Sequence, residues 1–182
     1  MEKHVKLSRF LSLILRHKPE AIGLTLDNQG YLLVDDLIKG LNATGKYKYY
    51  IDRSMLDELV STDNKGRYSY DSTGTKIRAN QGHSIEVDVG LLEKTPPATL
   101  YHGTSGKHID DIMKHGLSRM KRTYVHLSED YDTAVNVGSR RGAPVILKID
   151  TAKMNEAGHK FYLSKNGVWL TDDVPTKFIS KL

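Results

Sequence analysis

The chain of 182 residues carries 27 lysines and arginines against 22 acidic residues, a net charge of +5, with 38% hydrophobic residues and no cysteine. A chain this long removes about 70% of its unfolded surface from water, so it holds a core without staples, as one domain or as two small lobes. The missing cysteines exclude a disulfide framework, thiolate zinc sites, iron-sulfur clusters and cysteine nucleophiles, and no apolar run reaches the roughly 18 residues of a membrane span.

The N-terminal apolar run is short, is bracketed by Arg9 and Arg16 and has no small-residue cleavage site, so no leader is expected and a cytoplasmic monomer is the default. Leu7, Phe10, Leu11 and Ile14 recur at helical spacing and predict a helix over 5–17 that Pro19 stops, leaving Arg16 and His17 in its last turn. Two solvated cations complementing the helix dipole would account for that pair by themselves. The stretch 24–34 predicts two short extended runs around Asp27-Asn28-Gln29-Gly30. Asp35 and Asp52 are expected to cap two further helices, carrying Leu37, Ile38 and Leu41, and Met55, Leu56, Leu59 and Val60. Alternation in 67–71, a turn at Gly74 and a partner strand from Lys76 complete three helices followed by a hairpin. That winged-helix pattern serves nucleic acids in many proteins and only protein partners in others.

Pro96-Pro97 stiffens a polar connector and sets the expected boundary, with lobes 1–95 and 96–182. Fourteen basic residues face 13 acidic ones before Pro96, and 13 face 9 beyond it, so neither part is a basic tail. The second half predicts a strand through 98–104, a helix over 105–115 capped by Ser105, a strand at 123–128, a helix over 129–137 capped by Ser128, and strands at 144–150, near 160–164 and at 167–171. The fold class expected is α+β, an N-terminal winged-helix lobe followed by a mixed or antiparallel β lobe.

Two strand ends share one grammar. His102-Gly103-Thr104 offers a glycine where backbone can approach a ligand, and His126-Leu127-Ser128 ends the following strand in the same way. Such corners suit a pyrophosphate or an amide, although a capped glycine turn and a satisfied core histidine also account for each separately. Two histidine-bearing strand ends in one half favour a shared cleft. The eight histidines show neither HxxxH nor HExxH spacing, so no metal is expected, and Walker and GxGxxG patterns are absent. What remains is a set of cations: Arg16 with His17, Arg78 with Gln81 and His83, and Arg140 with Arg141. The guanidinium fork matches phosphate oxygens, so convergence of these residues would make a phosphate clamp.

Taken together and in register, LSLILRHKPE, KIRANQGHS, TPPATLYHGT, YVHLSED, VGSRRG and NGVWLT make the whole chain resemble the RNA 2'-phosphotransferases, NAD-dependent enzymes that remove a 2'-phosphate from a tRNA splice junction. The resemblance implies a winged-helix RNA lobe joined to an ADP-ribosyltransferase lobe. It puts the catalytic residues at Arg16, His17, Arg78 and Arg140, and NAD-binding residues at His102, Gly103, Thr104, His126, Leu127 and Ser128. Asn166 and Val168 fall in a third NAD-side segment, while His83 and Ser84 join Arg16, His17 and Arg78 on the RNA-phosphate side. The position after Arg140, often histidine in the family, is Arg141 here, which leaves open which arginine enters the site.

The reaction so implied has two steps. The RNA 2'-phosphate displaces nicotinamide from NAD, giving ADP-ribosylated RNA; the ribose 2''-hydroxyl then attacks phosphorus, freeing the RNA 2'-OH and ADP-ribose 1'',2''-cyclic phosphate. Arginines can neutralise the charge developing on phosphorus, so the expected cofactor set is NAD alone, without a metal. Two competing readings are an ADP-ribosyltransferase that modifies nucleic-acid terminal phosphates or protein, and a non-catalytic winged-helix RNA-binding module.

Overall fold

The computed structural model describes residues 2–182, with the side chains of Glu2, Lys3 and Arg141 outside the description. The chain divides into two compact units, one ending at Gly90 and one spanning Leu91–Leu182. The division falls a few residues before the prolines because Leu92 and Glu93 already pair with Leu163 and Tyr162 in a sheet of the second unit.

In the first unit, α1 (Glu2–Arg16) ends where Pro19 begins a short 3-10 turn. Next come β1 (Tyr31–Leu33), α2 (Val34–Ala43), α3 (Arg53–Ser61), β2 (Tyr68–Tyr70) and β3 (Lys76–Ala79). The strands form one antiparallel sheet in the order β1-β3-β2. Leu7, Leu11 and Ile14 of α1 are buried with Leu37, Leu41, Leu56 and Ile77, each such side chain contributing about 2 kcal/mol through burial. Asp52 caps α3, its carboxylate accepting from the Met55 N–H at 2.9 Å. Two local expectations fail here. Residues 24–26 form no strand, because Asp27 turns the chain with its own side chain, accepting from the N–H groups of Gln29 and Tyr31. Nor does Asp35 cap α2, which begins at Val34 directly from β1, so that Asp35 and Asp36 lie in the first turn and complement the dipole.

The second unit contains β4 (Leu92–Glu93), β5 (Thr99–Ser105), α4 (Ile109–His115), β6 (Val125–Leu127), α5 (Tyr131–Gly138), β7 (Pro144–Asp150), α6 (Thr151–Glu156), β8 (Phe161–Leu163), β9 (Trp169–Thr171) and β10 (Ile179–Lys181). Two antiparallel sheets result, β10-β7-β5 and β4-β8-β9-β6, around a core that includes Leu100, Val125, Leu147, Phe161 and Trp169. The chain is thus mixed α and β with antiparallel sheets. The helix expected over 105–115 is shorter: β5 runs through Ser105, a 3-10 turn follows, and Ser105 makes no capping bond. Asp130, rather than Ser128, caps α5 by accepting from the Thr133 N–H, while Ser128 binds the Asp130 backbone in the preceding turn. Periodicity did not foresee α6 and β10. Among the described residues no helix is long and apolar enough to cross a membrane.

Candidate active site

In the first unit the last turn of α1 and the segment after β3 meet. The Ser84 N–H donates to the Arg16 carbonyl at 3.0 Å, and the Ser84 hydroxyl lies 2.9 Å from Nδ1 of His17. Asn80 anchors the start of that segment, donating to the Gly66 carbonyl and accepting from the Ser69 hydroxyl, both at 2.7 Å. Arg78 faces Tyr31 across the β1-β3 register, with its guanidinium 4.6 Å from the ring centroid and Nη1 donating to the Gln29 carbonyl. Both partners are uncharged, and among the described residues its buried Nε has no hydrogen-bond partner. The Gln81 side-chain oxygen is likewise buried with no partner among the described residues.

His83 reports the field at this spot. It is only 4% exposed, and its ability to take a proton is pushed down to about 4, by burial first and then by the positive charges of Arg16, His17 and Arg78. Positive charges from two segments, Arg16 with His17 at the end of α1 and Arg78 on β3, therefore act together on this buried imidazole. Gly30, at φ +81°, supplies the space beside that ring: a Cβ there would stand 3.4 Å from Nε2. Of the residues expected on the phosphate side, Arg16, His17, Arg78, His83 and Ser84 are all in this cluster. His83 is the most deeply buried of the five. Tyr31 and Gln29, which orient Arg78, were not foreseen; an aromatic paired across a strand from a functional arginine was the available signal.

In the second unit the two histidine-bearing strand ends are adjacent. Tyr101 and Ser128 exchange backbone hydrogen bonds of 2.8 and 2.9 Å, and Nδ1 of His102 donates to the His126 carbonyl at 3.0 Å. That bond fixes the His102 proton on Nδ1, so the neutral ring offers Nε2 as an acceptor. Burial lowers the His102 pKa, the hydrogen bond to His126 opposes this, and the charge of Arg122 lowers it further. Arg122 itself donates to Nδ1 of His126 at 2.7 Å; the basic run before the strand was its only trace in the sequence. Ser105, at the end of β5, holds a buried hydroxyl with no hydrogen-bond partner among the described residues.

Other expected residues have packing reasons of their own. A Cβ on Gly103 would lie 1.8 Å from the Ala134 carbonyl oxygen, so this glycine admits the backbone of α5. Leu127 is 2% exposed and belongs to the core, which leaves its backbone alone for any ligand. Thr104 continues β5 opposite Val145. Asn166 lies in the turn between β8 and β9, where the Ser164 hydroxyl lies 2.9 Å from both the Asn166 side-chain oxygen and the Val168 carbonyl, and the Val168 N–H donates back to that hydroxyl. Arg140 is exposed in the 3-10 turn that follows α5, and the side chain of its neighbour Arg141 lies outside the described residues. No group of three or more His, Cys, Asp or Glu side chains able to hold a metal ion occurs among the described residues.

Comparison with known proteins agrees in one direction. Residues 2–173 match the family model described as RNA 2'-phosphotransferase, Tpt1 / KptA family. A probable RNA 2'-phosphotransferase of Fusobacterium nucleatum is 52% identical over 180 residues, covering 98% of this chain and 99% of the relative. One of Nostoc punctiforme is 51% identical over 178 residues, covering 98% and 97%. A third, of Flavobacterium johnsoniae, is 51% identical over 173 residues, covering 95% and 93%.

Proposed function

Because the chain belongs to the RNA 2'-phosphotransferase family, we propose that it removes an internal 2'-phosphate from tRNA-like RNA by transferring it to the ADP-ribose of NAD. The observation that carries this reading is the meeting of the end of α1 with the segment after β3, which gathers Arg16, His17 and Ser84 and brings Arg16, His17 and Arg78 near buried His83. Positive groups gathered in one place attract an anion, and the guanidinium fork matches the oxygens of a phosphate dianion.

In the first unit, three helices and a three-stranded antiparallel sheet support the winged-helix reading. In the second, two small antiparallel sheets support the ADP-ribosyltransferase-like one. NAD, consumed as co-substrate, supplies an electrophilic anomeric carbon. The residues of the second unit suit it: the acceptor Nε2 of His102 matches a ribose hydroxyl or amide, and the unpartnered Ser105 hydroxyl ends the same strand. His126, Thr104, Ser128 and Asn166 complete the proposed NAD side, with the backbone of Gly103 and Leu127.

On the phosphate side, in the first unit, Arg16 and Arg78 orient the 2'-phosphate as nucleophile while nicotinamide leaves. In the second step the ribose 2''-hydroxyl forms the new bond to phosphorus, the bond from phosphorus to the RNA 2'-oxygen breaks, and that oxygen takes up the proton. His17 contacts the phosphate and moves this proton, and the arginines balance charge gathering on the phosphoryl oxygens.

The test is incubation of purified protein with NAD and a short RNA bearing an internal 2'-phosphate, in excess chelator, with every product identified by mass. The expected products are 2'-OH RNA, nicotinamide and ADP-ribose 1'',2''-cyclic phosphate. Release of free inorganic phosphate without NAD, or a need for a divalent ion, overturns the mechanism.

A further inference from the structure

The loop over residues 44–52, between α2 and α3, takes no part in the clusters above, yet it concentrates aromatic and basic side chains. Its ends are clamped by one residue: the Asn42 amide donates to the carbonyls of Ile38 and Ile51, at 2.9 and 2.7 Å, and its oxygen accepts from the Ile51 N–H at 2.8 Å. Ile51 is fully buried, which roots the far end in the core. Inside the loop, the Thr44 hydroxyl donates to the Leu41 carbonyl, Gly45 turns the chain at φ +63°, and Tyr47 packs between Phe10 and Tyr49. The Lys46 ammonium stands 3.8 Å from the centroid of the Phe10 ring.

Tyr50 is left standing out of this rigid frame. It is 70% exposed, with no hydrogen bond or ring contact among the described residues. Between Asp36 and Asp52 the chain holds Lys39, Lys46 and Lys48 and no carboxylate. Lys46 and Lys48 are exposed, and neither forms an ion pair among the described residues.

We propose that this loop docks single-stranded RNA outside the reacting nucleotide, with Tyr50 stacking on a base and Lys46 and Lys48 meeting the adjoining phosphates. This deepens, and rests on, the reading of the substrate as RNA. Lysines without acidic partners attract a polyanion, and a tyrosine face accepts any base. The clamp at Asn42 means that little ordering is needed when the strand arrives.

The test uses the whole protein and two 2'-phosphorylated RNAs, a trinucleotide and an unstructured strand of about twelve nucleotides, long enough to reach beyond one binding site. Turnover is measured on both, and affinity for the longer strand by fluorescence anisotropy. Tyr50→Ala is expected to raise Kd and KM for the longer RNA about tenfold, leaving kcat and the trinucleotide unchanged, with Tyr50→Phe restoring the loss. Lys46→Ala with Lys48→Ala is expected to weaken the longer RNA and flatten its salt dependence. Wild-type behaviour of Tyr50→Ala on the longer RNA, or an equal loss on both RNAs, overturns the proposal. If the wild-type protein turns over neither RNA yet binds the longer one through Tyr50, the phosphotransferase reading fails and the loop proposal stands.

Discussion

Nδ1 of His17 lies 2.9 Å from the hydroxyl of Ser84, 67 positions further along the chain. With the bond from the Ser84 N–H to the Arg16 carbonyl, it fastens the end of α1 to the segment after β3 at two points. The exposed serine thereby holds the ring of a proposed catalytic histidine by one nitrogen. Ser84→Ala removes that bond and is expected to lower kcat roughly fivefold while costing no more than about 1 kcal/mol in stability. Ser84→Thr keeps the hydroxyl and is expected to recover most of the rate. Wild-type kcat in Ser84→Ala would show that the bond does not orient His17 for reaction.

Buried His83 makes stability depend on pH in a defined window. Its folded pKa, about 4, lies below the ordinary value of 6.5, so between these values the unfolded chain binds a proton that the folded chain refuses. The stabilisation is complete above pH 6.5 and is lost as pH falls toward 4, reaching about 3 kcal/mol. His102, lowered chiefly by burial, acts in the same direction. Denaturant melts at a series of pH values are expected to slope through this window, and His83→Gln to flatten the slope in part. An unchanged slope in that variant would mean that His83 is not held neutral.

Gly103 carries the clearest stability prediction. Gly103→Ala places a Cβ against the Ala134 carbonyl oxygen at 1.8 Å, backbone that cannot step aside without moving α5. A loss of about 3 kcal/mol, at the upper end of overpacking costs, is expected in thermal or denaturant unfolding. Gly106→Ala, with nothing within 4 Å, is the control and should change stability by less than about 0.5 kcal/mol.

Elements with strong local patterns were legible in the sequence. The apolar stripe of α1, the Asp52 cap, the β2-β3 hairpin around Gly74 and the strand starting near Thr99 all stand where spacing and turn chemistry put them. The errors lie at helix starts, where several hydroxyls and carboxylates compete. Asp130 took the cap from Ser128, and β5 kept Ser105 because its pairing with β7 extends to Pro144. The meeting of Arg16, Arg78 and His83 was implied only by the family resemblance and not by spacing, since it depends on how the segment after β3 returns to α1. Gly103 shows the complementary difficulty: the spacing marked it as special, but only the neighbouring helix shows that the space is taken by protein backbone.

The account rests most heavily on Arg16 and its neighbours acting on phosphorus, and a rapid-quench time course with Arg16→Lys tests this most directly. The substitution keeps the charge and loses the two-pronged fork, at a cost of about 3 kcal/mol, or more than a hundredfold in rate, by analogy with loss of one oxyanion donor. With NAD and RNA bearing an internal 2'-phosphate, the account predicts that step two slows more than step one. ADP-ribosylated RNA then accumulates in Arg16→Lys, whereas Thr104→Ala and Ser128→Ala leave unreacted RNA and little intermediate. Equal slowing of both steps in all three variants, with no intermediate in any, would contradict it.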